Sequence, residues 1–240
     1  MKFFIEKDIS KADKKAFEII QEQIKLKSDS LIGLAVGKTT DGLHKLISKD
    51  AAKNPKRWSK LKLFQIDEYL GISPYSDLSF NKEIKRELKS LLKILKKKNL
   101  FLIDGRKSPS QTIKEAYSFI KRNGGFDLIT LGIGSEYDPH IAFNTTGKSS
   151  LNSKMRVVDL HPRVVRARHG VPQRGITLGI KDILEAKKVL LIAHGKEKTK
   201  SIQKAFSRKV NLKRASASAL QLHKNLFAIV DKEVGKYLKI

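Results

Sequence analysis

Apolar and polar residues follow two alternating patterns along the chain. Short, nearly continuous apolar runs predict buried β-strands over 31–36, 61–66, 100–103, 126–133, 189–193 and 226–230. Amphipathic segments between these runs predict helices over 11–27, 41–48, 80–97, 109–122, 180–186, 196–207 and 215–222. The sequence Asn123-Gly124-Gly125 is a typical signal for the end of a helix.

The alternation of strands and helices predicts an α/β fold. Strands that are apolar along their whole length are typical of a mostly parallel sheet with helices on both faces. No linker, low-complexity segment or internal repeat interrupts the pattern over the 240 residues. We therefore predict a single Rossmann-like domain over residues 1–240. Ligands of such sheets bind beyond the carboxyl ends of the strands.

Composition narrows the class of protein further. The chain contains no cysteine, so it has neither disulfides nor thiolate metal ligands, and a reducing cytoplasm is the expected compartment. No apolar run reaches the roughly 20 residues that a membrane-spanning helix needs. We therefore expect no membrane association.

The chain is strongly basic, with 50 Lys and Arg residues against 24 Asp and Glu and a formal net charge of +26. Such a charge suits polyanions, because Lys and Arg dominate non-specific affinity for nucleic acids. The basic residues are nevertheless spread along the chain, and no basic motif rich in aromatic residues is present. The pattern favours a solvated, lysine-rich surface that attracts small anionic substrates over a nucleic-acid interface.

Residues suited to binding an anion follow two of the predicted strands. Gly37, Lys38 and Thr39 lie between a strand and a helix, where backbone N–H groups, the ammonium group and the hydroxyl favour a phosphate. Lys198 lies in a second strand-to-helix turn. An ordinary tight turn or a solvated lysine would have the same sequence, so a purely structural role stays open.

Groups suited to proton transfer follow two other strands. Asp67 and Glu68 come after the strand 61–66, where a single acid often caps a helix and two in succession favour a functional role. Asp138 precedes His140 by two residues, a spacing at which a carboxylate can orient an imidazole, although it is also common in surface loops. With the two anion-binding turns, these residues predict proton transfer next to a carbonyl of a phosphorylated small molecule.

Several of these segments resemble the glucosamine-6-phosphate deaminase/isomerase family, whose superfamily also contains the 6-phosphogluconolactonases. The similar segments follow the family order over about residues 16–238, at 31–39, 65–71, 140–144, 149–151, 195–198 and 218–223. The sequence His-Ile-Ala-Phe-Asn at 140–144 matches the family motif outright. Together with Asp67-Glu68-Tyr69 and Ala219-Leu220-Gln221-Leu222-His223, it resembles the deaminases more than the lactonases.

The resemblance implies conversion of glucosamine 6-phosphate, or a close hexosamine phosphate, to a ketose 6-phosphate and ammonia. It implies that no metal or organic cofactor takes part. By position, Asp67 would be the base that moves a proton from C2 to C1 of the opened sugar. His140 would assist ring opening at the ring oxygen, with Asp138 as the residue that orients it.

The resemblance also implies where the phosphate binds. Its ligands would be Gly37, Lys38, Thr39, Arg168 and Lys198. Arg168 is chosen because Arg163 and Arg168 repeat a five-residue arginine spacing of the family.

The chain departs from the family pattern around His140. Thr145 stands where the family has a glutamate that partners the histidine, and threonine does not relay a proton as a carboxylate does. The loop before His140 is two residues longer than the family pattern, so either Asp138 or Glu136 fits the position of the family's acid. Lys38 also replaces a glycine of the phosphate-binding turn.

Other functions stay open at this point. A 6-phosphogluconolactonase-like hydrolase belongs to the same superfamily, and Thr145 favours a sugar-phosphate-binding protein with weakened catalysis. Only the net charge favours a nucleic-acid-binding protein. The sequence also leaves open whether the chain forms a homo-oligomer.

Overall fold

The computed structural model describes residues 1–167, 169–236 and 238. Within these residues, ten strands are present: β1 (Lys2–Glu6), β2 (Leu31–Leu34), β3 (Lys62–Gln65), β4 (Asp67–Tyr69), β5 (Leu100–Phe101), β6 (Leu128–Leu131), β7 (Arg156–Asp159), β8 (Arg174–Thr177), β9 (Val189–Ala193) and β10 (Leu226–Asp231). Seven of them form one sheet in the order β1-β10-β9-β6-β2-β3-β5. All neighbouring strands of this sheet are parallel, which confirms the predicted mostly parallel sheet.

The other three described strands form a small antiparallel sheet in the order β4-β8-β7. A single residue, Ile66, separates β3 from β4, so the chain passes directly from the large sheet into the small one. The predicted strand 61–66 therefore continues as a second strand that begins at Asp67. The small sheet was not predicted, because its β4–β8 pairing joins segments about a hundred residues apart and leaves no local signal in the sequence.

Ten α-helices occur in the described residues: α1 (Ile9–Leu26), α2 (Asp41–Lys53), α3 (Pro55–Trp58), α4 (Phe80–Glu87), α5 (Lys89–Ile94), α6 (Pro109–Arg122), α7 (Pro162–Ala167), α8 (Ile180–Leu184), α9 (Thr199–Phe206) and α10 (Lys232–Gly235). Three short 3₁₀ helices lie at Lys97–Asn99, Lys196–Lys198 and Ser216–Leu222. No helix in the described part of the chain combines the length and the apolar character that a membrane span requires.

The helices cover both faces of the large sheet, as predicted. Successive strand residues point to opposite faces, so Leu190 packs in one hydrophobic core and Leu191 in the other. The first core includes buried residues of α1, α2, α3 and α5, and the second includes residues of α6, α8 and α9. This double burial explains why the strands are apolar along their whole length.

Two helix predictions need correction. The segment 80–97 is bent at Leu88 into α4 and α5, although the Leu88 N–H still bonds the Ile84 carbonyl. The bend keeps Ile84, Leu88 and Leu91 buried in the same core. The segment 215–222 is a 3₁₀ helix, in which the Ser216 hydroxyl donates to the Asn144 carbonyl, so contacts outside the segment outweigh its local preference for an α-helix.

Candidate active site

The polar strand ends surround one cavity of about 410 Å³. It lies beyond the carboxyl ends of β2, β6 and β9, beside β4, which is the place where sheets of this kind bind ligands. Seven of the eight predicted site residues line it, namely Gly37, Lys38, Thr39, Asp67, Asp138, His140 and Lys198. The eighth, Arg168, lies outside the described residues.

The turn that follows β2 places backbone groups at the cavity. Gly37 has a φ of +141°, in a region that residues with a side chain rarely adopt. The Thr40 N–H and hydroxyl donate to the Gly37 carbonyl at 2.8 and 3.0 Å, which closes the turn just before α2. His194, at the end of β9, lies 3.0 Å from the Thr39 carbonyl through its Nε2 atom. The turn is therefore held from two strands and presents Lys38 and Thr39 to the cavity.

The Asp67 carboxylate is buried, and little around it stabilises its charged form. It lines the cavity while only 5% of its surface is exposed. Burial raises its pKa well above the ordinary aspartate value, and the neighbouring charge of Glu68 adds to the rise. Within the described residues, no hydrogen bond to its carboxylate offsets that burial. A carboxyl group of this kind can both accept and return a proton near neutral pH.

Glu68 has the structural role that one of two adjacent acids often takes. It is fully buried and does not line the cavity. Its carboxylate accepts five hydrogen bonds, from the side chains of Gln65 and Ser79 and from the backbone N–H groups of Tyr69, Phe80 and Asn81. Because two of these N–H groups belong to the first turn of α4, Glu68 joins β4 to that helix.

Asp138 and His140 form a hydrogen-bonded pair at the cavity. His140 Nδ1 lies 2.9 Å from Asp138 Oδ2, and the Thr146 N–H donates to Asp138 Oδ1 at 2.8 Å. Burial by itself raises the pKa of Asp138, but the interactions with His140 and Thr146 outweigh it, so the pKa is lower than usual. With Nδ1 bound to the carboxylate, Nε2 of the neutral ring is the nitrogen that can accept a proton.

The structure shows which of the two acids, Asp138 or Glu136, contacts His140. Glu136 points to the surface, where its carboxylate lies 2.9 Å from Lys200 Nζ. The hydrogen bond from Lys200 lowers the pKa of Glu136. Asp138, and not Glu136, is therefore the carboxylate that orients His140.

The backbone around His140 is tightly constrained. A Cβ atom on Gly134 would lie 2.2 Å from the Asp138 carbonyl oxygen and 2.6 Å from His140 Nδ1, so only glycine fits there. The Gly134 N–H donates to the His140 carbonyl at 2.8 Å. Ala142 has a φ of +48°, an uncommon conformation for a residue with a side chain. Strain of this kind is common where a fold holds functional side chains in place.

Cations also surround the cavity. Lys198 Nζ donates to the Ile133 carbonyl at 2.7 Å, and burial lowers the pKa of its ammonium group. Two further residues, His161 and Arg163, line the cavity but were not among the predicted ligands. The sequence signal for Arg163 was the five-residue arginine spacing, which includes both Arg163 and Arg168. The spacing alone does not show which of the two arginines lines the cavity.

Thr145 supplies no proton-transfer group to the cavity. It is buried and does not line the cavity wall. Its carbonyl accepts from the Lys148 N–H and the Ser149 hydroxyl, which makes it part of a turn. Asp138 is the carboxylate that contacts His140.

Carboxylates that lie close enough to one another to hold a cation are found outside the cavity. Among the described residues, Asp41, Glu83 and Glu87 form such a group. Glu87 is already bound by His44 Nδ1 at 2.6 Å and by Arg86 at 3.0 Å. None of these side chains lines the cavity.

Comparison with known proteins identifies the family. The family model described as glucosamine-6-phosphate isomerases/6-phosphogluconolactonase matches residues 6–227. The chain belongs to this family. Glucosamine-6-phosphate deaminases of Clostridium botulinum and Mycoplasmopsis pulmonis are 32% and 33% identical to it. The first alignment covers 100% of both chains, and the second covers 98% of this chain and 94% of the relative.

Solved structures of the family have the same fold. A monomeric glucosamine-6-phosphate deaminase superposes with a TM-score of 0.91 at 25% identity, covering 99% of this chain and 100% of the other. A 6-phosphogluconolactonase from Trypanosoma cruzi superposes with a TM-score of 0.79 at 20% identity, covering 100% and 97%. The fold is thus shared by both activities of the family, and the residues of the cavity must distinguish them.

Proposed function

We propose that this chain is an amino-sugar phosphate isomerase/deaminase. Its substrate is glucosamine 6-phosphate or a close hexosamine 6-phosphate, and its products are a ketose 6-phosphate and ammonia. The observation that carries the proposal is that one cavity holds the poorly compensated Asp67 carboxylate, the Asp138–His140 pair and a phosphate-binding turn. The deaminase relatives, similar over the full chain, support the same reaction.

In this proposal His140 opens the sugar ring. The hydrogen bond between Asp138 and Nδ1 keeps Nε2 available, so the imidazole moves a proton from the C1 hydroxyl to the ring oxygen. The open sugar then has a C1 aldehyde, which makes the proton on C2 more acidic.

Asp67 carries out the isomerisation. It removes the C2 proton to form an enolamine and returns a proton to C1, which leaves an imine at C2. Water then adds to C2 and ammonia leaves, so the reaction consumes one water molecule and releases one ammonia. A raised pKa suits this shuttle, because the same carboxyl group must accept a proton and give it back.

In our proposal the strand-to-helix turns at the cavity bind the phosphate. Lys198, Lys38 and the backbone of Gly37 and Thr39 hold it, as a strand-to-helix turn with nearby cations can. Arg168 remains a predicted ligand on the basis of the arginine spacing alone.

A lactonase-like hydrolase is the second candidate, because the family model that matches the chain also includes the 6-phosphogluconolactonases. A lactonase needs one group to activate water at the lactone carbonyl, for which His140 would suffice. It needs no proton transfer between C2 and C1, so Asp67 would be dispensable. The two candidates therefore differ in their dependence on Asp67.

The experiment is to incubate the purified protein with glucosamine 6-phosphate and to measure ammonia and ketose phosphate, with Asp67→Asn as the control. We expect turnover by the wild-type protein and almost none by the variant. Equal rates for the two proteins would reject the deaminase. Hydrolysis of 6-phosphogluconolactone in a parallel assay would favour the second candidate, and binding without turnover would favour a sugar-phosphate-binding protein.

We further propose that the protein acts on small molecules in the cytoplasm, without a nucleic-acid partner. The absence of cysteine supports a reducing compartment. A salt titration against duplex and single-stranded DNA tests the second point, since a basic nucleic-acid-binding protein binds strongly at low salt. Gel filtration tests whether the chain forms a homo-oligomer.

A further inference from the structure

The extended loop before His140 exposes an aromatic side chain near the cavity. Tyr137 lies in the loop 135–139, in the segment that is two residues longer than the family pattern, and 59% of its surface is exposed. An exposed ring offers a flat face against which a neighbouring cationic side chain can pack. Tyr137 is therefore a candidate for supporting a side chain at the cavity.

One face of the ring is covered by Arg163. The guanidinium carbon lies 3.5 Å from the centre of the Tyr137 ring. A guanidinium in this position is attracted by the ring, while its N–H groups at the edge stay free to bind an anion. Arg163 also lines the cavity, and no carboxylate of the described residues pairs with it.

The loop that carries Tyr137 is anchored. The Glu136 carboxylate pairs with Lys200 at 2.9 Å, and the Glu136 carbonyl accepts from Lys204 Nζ at 2.6 Å, so two residues of α9 hold the loop. On the other side of Tyr137, Asp138 accepts a hydrogen bond from the Thr146 N–H. The ring is therefore a fixed support for a side chain that would otherwise sample many rotamers.

We propose that Tyr137 is a positioning residue for Arg163, and that the stacked guanidinium binds the phosphate group of the substrate at the rim of the cavity. The inference rests on the proposed function, in that it names a further residue for the same sugar phosphate. Holding the guanidinium before the substrate arrives removes the entropy cost of ordering it on binding.

The test compares Tyr137→Leu, Tyr137→Phe and Tyr75→Leu, the first of them also combined with Arg163→Ala. Tyr75 is the matched control, because it is 76% exposed and has Lys85 Nζ 5.6 Å from its ring but does not line the cavity. Loss of the stack in Tyr137→Leu should raise KM for glucosamine 6-phosphate about fivefold and change kcat less than about twofold. Tyr137→Phe keeps the ring, so its KM should stay within about twofold of wild type, as should that of Tyr75→Leu.

The double variant decides whether Tyr137 acts through Arg163. In the Arg163→Ala background, Tyr137→Leu should cause no further rise in KM, because the side chain that the ring supports is gone. An unchanged KM in Tyr137→Leu, an equal effect in both backgrounds, or a fall confined to kcat would each overturn the inference.

Failure of the proposed function is seen separately. If the wild-type protein shows no turnover, the deaminase proposal fails, and the same variants are compared by the Kd for glucosamine 6-phosphate in calorimetry. A weaker Kd in Tyr137→Leu that disappears in the Arg163→Ala background would still support the positioning role. Equal Kd values for all the proteins would reject it.

Discussion

Asp67 and Asp138 are buried at the same cavity, and their pKa values move in opposite directions. Burial raises both. The Asp67 carboxylate receives no hydrogen bond within the described residues and lies beside Glu68, so its pKa stays well above the ordinary value. Asp138 is bound by His140 and by the Thr146 N–H, which together lower its pKa below the ordinary value.

The comparison shows that the pKa values of these two buried acids differ because of the hydrogen-bond donors around each carboxyl group, rather than because of how deeply each is buried. A carboxyl group without donors exchanges protons readily near neutral pH. One with two donors stays ionised and holds its neighbour in place. Pairs of acids with diverging pKa values are typical of sites that need both a base and an orienting group.

The largest expected effect is that of Asp67→Asn, which removes the proposed base. We expect kcat to fall about 10³-fold, because general acid–base catalysis contributes about 10²–10⁴. Ammonia release measures the rate, and calorimetry with glucosamine 6-phosphate checks that the variant still binds. Retention of more than a tenth of the wild-type rate would show that Asp67 is not the base.

Asp138→Asn is expected to have the next largest effect. The amide has the shape of the acid but not its charge, so it holds the His140 ring less firmly and stabilises its charged form poorly. We expect kcat to fall about 10²-fold. Glu136→Gln is the control, since Glu136 pairs with Lys200 rather than with His140, and its kcat should stay within about twofold of wild type. The reverse order of the two rates would favour Glu136 as the histidine's partner.

Glu68→Gln extends the comparison to the acid adjacent to Asp67. Its amide places an NH₂ group among five donors, so at least one of them loses its acceptor. We expect a loss of about 2 kcal/mol in the free energy of unfolding, measured in urea. Glu115, which is half-exposed and pairs with Lys107 at 3.5 Å, provides the control. Glu115→Gln should change stability by less than about 0.5 kcal/mol, and an equal loss in both variants would contradict the assignment.

The smallest expected effect is on the pH dependence of the free energy of unfolding, and it has opposite signs for Asp67 and Asp138. The folded chain binds the Asp67 proton more tightly than the unfolded chain does, so Asp67 lowers stability as pH rises above the ordinary value of about 4. Asp138 has a lowered pKa, so its stabilisation is present above about pH 4 and is lost as pH falls below it.

Asp67→Asn should therefore gain stability relative to wild type as pH rises above about 4, whereas Asp138→Asn should be less stable than wild type by a constant amount above about pH 4, and this deficit should shrink as pH falls below about 4. Each tenfold difference in proton affinity between the folded and unfolded chain is about 1.4 kcal/mol, or about 3–6 °C in Tm for a chain of this size. Thermal melts of the three proteins at several pH values measure the trends. Parallel Tm curves for the two variants would contradict the opposite pKa shifts.

Much of the fold could be predicted from local patterns. The strand Val189–Ala193 agrees with the prediction residue by residue, because a strand buried on both faces must be apolar along its whole length. The edge strand Lys2–Glu6 was missed, because its apolar run has only three residues, Phe3, Phe4 and Ile5, between two charged ones. The 3₁₀ helix at Ser216–Leu222 was predicted as an α-helix, because the local pattern does not reveal that Ser216 and Gln221 donate to carbonyls of other segments.

The sequence by itself determined the alternation of strands and helices, the polar residues at the strand ends and the family to which the motifs point. These depend on neighbours within a few positions of the chain. Only the tertiary structure decided that Asp138 and not Glu136 contacts His140, that Glu68 is structural, and that Arg163 lies on Tyr137 at the cavity. Such choices depend on which donors and charges distant segments bring together and on how much water they exclude. Those are the same physical quantities that separate the pKa values of Asp67 and Asp138.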